Sequence, residues 1–155
     1  MIQQTDGNMV DSMANVFVYI LPVNGAFFSD IPLALHSKAN EIVQSIGQKK
    51  RLGRLWIYPF KMKWPKGLQH TPNGEPSRTV WGALIPQQKK GYESDVGQSL
   101  HLLKRWIAAT GLPLRIAIMG NERYYQNGSR NCLSHILKRE IEISLKDWDV
   151  EIYMK

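Results

Sequence analysis

The chain has 155 residues, 43% hydrophobic and 21% charged, and its 20 lysines and arginines against 13 acids leave a net charge of +7. That is enough apolar sequence for a core of its own, which excludes a wholly disordered chain, and no apolar run approaches the ~20 residues of a membrane-spanning helix. The single cysteine, Cys132, excludes an internal disulfide and a thiolate zinc cluster, so a reducing cytoplasm is the expected compartment.

Residues 1 to 13 are polar, show no periodicity and lack the basic-then-apolar signature of a secretory leader. They are expected to form a flexible leader outside the core, with 14 to 155 as one α/β domain. Asn15 to Val23 is β-branched and aromatic without a charge, the composition of a strand buried on both faces, and Pro22 and Gly25 end it. Ser29 or Asp30 can cap a helix with Pro32 in its first turn; Leu35, Ala39, Ile42, Val43 and Ile46 then recur at helical spacing, with Gly47 as the stop.

Arg54 to Lys63 reads as a second strand, and Trp64 to Ser77, rich in proline and glycine, as an exposed loop. Thr79 to Pro86 is a third strand, followed by the basic turn Gln87 to Gly91. A helix is predicted from about Ser94 to Ala109 on the stripe Val96, Leu100, Leu103 and Ile107, stopped by Gly111. Leu114 to Met119 is a short strand and Asn121 to Asn127 a polar connection. Ser129 begins a helix carrying Leu133, Ile136, Leu137 and Ile141, and Val150 to Met154 is the last strand. Strands alternating with helices in this way predict one mixed β-sheet with helices packed on it.

The positive charge is local. Residues 47 to 90 hold ten cations against the single acid Glu75, so this segment carries +9 and the rest of the chain −2. The same segment holds three of the five tryptophans. Its cations Lys49, Lys50, Arg51, Arg54, Lys61, Lys63 and Lys66 interleave with Trp56, Tyr58, Phe60 and Trp64. Cations neutralise phosphates and aromatic faces stack on bases, so the pattern predicts a nucleic-acid platform, single-stranded or RNA-containing. The same aromatics also fit a plainer reading, since alternate residues of a strand face opposite ways and one set can be core.

Residues 79 to 155 resemble the ribonuclease H fold. The resemblance rests on Trp81-Gly-Ala-Leu-Ile85 before a helix, on Arg115-Ile-Ala-Ile-Met-Gly-Asn-Glu-Arg-Tyr-Tyr-Gln-Asn-Gly128 as the strand leading to a catalytic aspartate, and on Asp149-Val-Glu-Ile-Tyr153 as a terminal strand. It implies two Mg2+ ions held by clustered carboxylates. Asn121 stands at the aspartate's position, and an amide is a poorer ligand for a hard cation. Glu93 or Asp95 would match the helix glutamate, and Thr5-Asp6-Gly7 imitates the first-strand motif but lies far ahead of Trp81. The resemblance therefore implies a fold whose nuclease centre is lost, leaving a binding module.

The four histidines stand singly, with no metal-binding spacing; His70, in a loop near Lys66, is the best candidate for a general base. Cys132 near a helix start can be a reactive thiolate or a structural residue. No glycine-rich phosphate loop supports a nucleotide cofactor. The sequence thus predicts a non-catalytic nucleic-acid-binding protein without metal or cofactor. A small accessory or inhibitory factor of a phage or mobile element, docking on a protein or nucleoprotein partner, is the second reading. A metal-dependent nuclease using Asp6, Glu93 or Asp95 is the third.

Overall fold

The uncharged run Val16-Phe-Val-Tyr-Ile-Leu-Pro22 forms β2 (Val16–Pro22), the strand around which the rest is arranged. In a computed structural model, which describes residues 2–5, 7–22, 32–45, 54–68, 70–87, 93–120 and 133–154, β2 lies parallel to β4 (Ser77–Gln87) on one side and to β5 (Arg115–Gly120) on the other. Beyond β5 come β6 (Asp149–Met154) and β1 (Ile2–Thr5), both parallel, and β3 (Trp56–Lys63) pairs antiparallel with β4 at the opposite edge. The result is one six-stranded mixed sheet in the order β1-β6-β5-β2-β4-β3. Phe17 and Val18, on opposite faces of β2, are both fully buried, as a strand covered on two sides requires.

Two cores flank the sheet. On one face α2 (Glu93–Thr110) and α3 (Leu133–Ser144) place Leu100, Leu103, Ile107 and Ile141 against Val16, Val18, Ile116 and Ile118. On the other, α1 (Leu33–Ser45) sets Leu35, Ala39 and Ile42 against Phe17, Tyr19, Leu21 and Phe60. A Cβ at Gly82 of β4 would come within 2.7 Å of Leu35 Cδ1, so α1 sits on the sheet at a position without a side chain. Gly111, at φ +65°, ends α2 in the left-handed conformation that glycine adopts freely.

The N-terminal segment departs from its expected place outside the core. Ile2 to Thr5 pair with Val150 to Tyr153, Met9 is 1% exposed in the α1-side core, and Ser12 is buried, its hydroxyl donating to Glu151 Oε2 at 3.1 Å. Isolated apolar residues in a polar run carry no periodicity, which is why composition misplaces them. The helix caps expected at Ser29 or Asp30, the stop at Gly47, the turn 88–91 and the helix start at Ser129 lie outside the described residues. No described helix is long and apolar enough to cross a membrane.

Candidate functional site

The ladder between β2 and β5 runs from Val16↔Ile116 to Tyr19↔Met119 and ends there. Past that point Ile20, Leu21 and Pro22 stay with Ile85, Pro86 and Gln87 of β4, whereas Gly120 stays with Met154 of β6. The next helices then lie on opposite faces, α1 after β2 and α3 after β5. Adjacent parallel strands whose connections leave to opposite faces open a crevice at their carboxyl ends, the usual ligand position in open α/β sheets. This topological switch point is the candidate site. The segments that follow these strand ends in the chain, 23–31, 88–92 and 121–132, lie outside the described residues.

Tyr19, Met119, Tyr153 and Thr5 form a row across the sheet one residue below the crevice, in register and on the α1-side face. Tyr153 donates its hydroxyl to Glu151 Oε2 at 2.5 Å, and Arg115 Nη2 lies 3.5 Å from Glu151 Oε1. Burial first, and the bond to Glu151 second, push the Tyr153 phenol up to about 12. It is therefore a neutral donor across the physiological range, and Glu151 is occupied by the Ser12 and Tyr153 hydroxyls. These groups brace the sheet beneath the crevice.

The structure does not assemble the platform expected of residues 47 to 90. Lys49, Lys50 and Arg51 lie outside the described residues. Arg54 is exposed, with its carbonyl accepting the Ser99 hydroxyl at 2.6 Å. The period of two puts Trp56, Tyr58 and Phe60 on the face that α1 covers, where Phe60 is 6% exposed and the Lys38 ammonium lies 5.3 Å above the Tyr58 ring. Lys61 and Lys63 alternate with them and are exposed on the other side of the pleat. Lys61 and Lys63 are thus set apart from the rings of Trp56, Tyr58 and Phe60 by the strand, and of those rings Phe60 is buried while Trp56 and Tyr58 are half-buried. Trp64 is half-buried with its indole N–H on the Glu75 carbonyl at 3.0 Å, and Lys66 is exposed.

His70 is exposed in its loop, while Asp6, Asn121 and Cys132 lie outside the described residues. Among the described residues no three His, Cys, Asp or Glu side chains are grouped so that they could hold a metal ion.

Over almost its whole length the chain is similar in structure to a set of solved macrodomains. The chain covers 99% of itself and 97% of the macrodomain of Thermus aquaticus DarG, with a TM-score of 0.58 at 16% identity. It covers the same share of itself, and 82% of that chain, on the Oceanobacillus iheyensis macrodomain with MES bound, with a TM-score of 0.60 at 12% identity. On Thermosipho africanus DarTG in complex with ADP-ribose it covers 41% of that longer chain, with a TM-score of 0.59 at 14% identity. No family model matches the sequence, and no curated protein matches it. The likeness shows the fold, which is that of the macrodomains, and it replaces the ribonuclease H resemblance. Strand-helix-strand-helix-strand reads alike in many α/β folds, and the Trp81, Arg115 and Asp149 strands belong to that shared rhythm. The nucleic-acid, RNA and nuclease readings built on the resemblance and on the basic segment fall with it.

Proposed function

We propose that the chain binds ADP-ribose, or a nucleotide sugar closely like it, in the crevice between the carboxyl ends of β2 and β5. The observation that carries this reading is the match over 99% of this chain to solved macrodomains and to part of Thermosipho africanus DarTG in complex with ADP-ribose, in a chain whose own ladder opens at that place. The composition of the adjoining segments supports it. In sequence, the segments that follow β2, β4 and β5 hold the cations Lys89, Lys90, Arg123 and Arg130 against the acids Asp30 and Glu122, a net positive charge of the sign a diphosphate calls for. The same reading sets the protein in a reducing cytoplasm, the compartment suited to a lone cysteine.

Titration calorimetry with ADP-ribose, ADP and ribose 5-phosphate tests it. ADP-ribose is expected to bind more tightly than either fragment. At a hundredfold excess over its dissociation constant, it should add about 2.7 kcal/mol to the unfolding free energy. No heat and no thermal shift at about 1 mM ADP-ribose, the level at which even a weak complex forms, would overturn the reading.

A further inference from the structure

A second pocket lies at the other end of the sheet, where β3 finishes beside the start of β4. It has a volume of about 570 Å³, within the usual range for small-molecule sites, and wraps the free edge of β3 so that it takes in Lys61, Met62 and Lys63 together. Trp64 and Leu33, the latter 84% exposed at the start of α1, add apolar wall, and Lys66 adds a third cation. The one acid among the described lining residues, Asp11, already accepts from the Lys66 backbone N–H at 3.5 Å.

Behind this wall stands a cation with no counter-ion among the described residues. Arg78 is 7% exposed, pairs in register with Met62 and lies 5.6 Å from the Trp64 ring; its guanidinium donates to the Ser12 carbonyl at 2.7 Å and reaches the Val10 and Ala14 carbonyls at 3.5 Å. Its Nε is buried with no hydrogen-bond partner, and no described carboxylate pairs with the group. Met62, Trp64 and Val10 all line the pocket. Burial pulls the Arg78 pKa below the usual arginine value, as expected of a charge that has lost water and gained only carbonyl dipoles.

We infer that this pocket is a ligand site for a small amphiphilic anion, one carrying a carboxylate, sulfonate or phosphate head on an apolar body the size of one or two rings. The apolar body rests on Leu33, Met62 and Trp64, and the head meets the positive field of Lys61, Lys63, Lys66 and the buried Arg78. The site is separate from the crevice, since the nine residue steps of β4 from Arg78 to Gln87 span about 30 Å at the usual rise per strand residue.

Anilinonaphthalene sulfonate is the probe. Its fluorescence should rise on saturable binding of one molecule per chain, and the neutral N-phenylnaphthylamine should bind far more weakly. Leu33→Glu and Lys66→Glu, both at exposed positions, should each weaken the sulfonate at least about tenfold, as a negative charge placed beside an anion does. Lys146→Glu, the same change beside β6, should not. Saturating ADP-ribose should leave the affinity unchanged, which separates this site from the crevice whatever the fate of the ADP-ribose reading. Absence of binding, equal binding of the neutral dye, indifference to both variants or displacement by ADP-ribose would each overturn the inference.

Discussion

Arg78 ties the segment before β2 to β4 through the carbonyls of Val10, Ser12 and Ala14, with the Phe17 ring 5.5 Å from its guanidinium. Arg78→Ala removes those donors, strands buried carbonyls and opens a cavity, so an unfolding free energy lower by about 2 to 4 kcal/mol is expected in urea titrations. Tyr153 makes a different prediction. Its proton is held to about 12 in the folded chain against 10 in an ordinary tyrosine, so what this adds to stability is whole below pH 10 and is lost as the pH climbs through 12. The stability difference between the wild type and Tyr153→Phe should therefore shrink over that window in urea midpoints taken at each pH; a flat difference would remove the buried bond to Glu151 from the account. Neither role was legible beforehand. Nothing near Arg78 in sequence marks it as different from the exposed cations around it, because its burial comes from residues 64 to 68 positions away.

Helices find their places through glycines. At Gly82 a methyl group would meet Leu35 Cδ1 at 2.7 Å and Phe60 Cε1 at 3.1 Å, both in the core under α1. Gly82→Ala is expected to cost about 1 to 3 kcal/mol by overpacking, and the loss should be less than additive with Leu35→Ala in a double-mutant cycle. Gly97 of α2 looks equally tight, with Glu140 Oε2 of α3 2.6 Å from the added atom, yet that neighbour is the tip of a flexible carboxylate that can swing away. Gly97→Ala should be neutral or stabilising, because alanine gains up to about 1 kcal/mol over glycine inside a helix. Thermal melts of the two variants should move in different directions. At this scale the sequence read well: β2, β4, α2, β5 and β6 fall within one or two residues of their expected bounds, since continuous apolar runs and a helical stripe are local signals. β3 lies within two residues of its expected bounds, but which of its aromatics are core was not legible, because period two says which residues share a face and not which face α1 will cover.

The crevice belongs to the whole molecule. It exists because β2 is inserted between β4 and β5, strands that lie 65 and 100 residues further on at their first paired positions, Asn15 sharing its bonds with Trp81 and Arg115. No local pattern encodes that order, so the site stayed hidden while the conspicuous basic segment drew the functional reading. The first thirteen residues were misplaced for the same reason, their partners being Val150 to Tyr153 and Glu151. Deleting residues 1 to 13 removes β1, Met9 and two of the carbonyls that hold Arg78, and a marked drop in melting temperature or loss of a cooperative transition is expected in calorimetry. The pairing of Ile2 with Val150 also sets a timetable for synthesis on the ribosome. β1 must wait for β6, made 148 residues later, before it has its partner in the sheet, so β6 completes its own place and, in the same event, recruits β1 to close that edge.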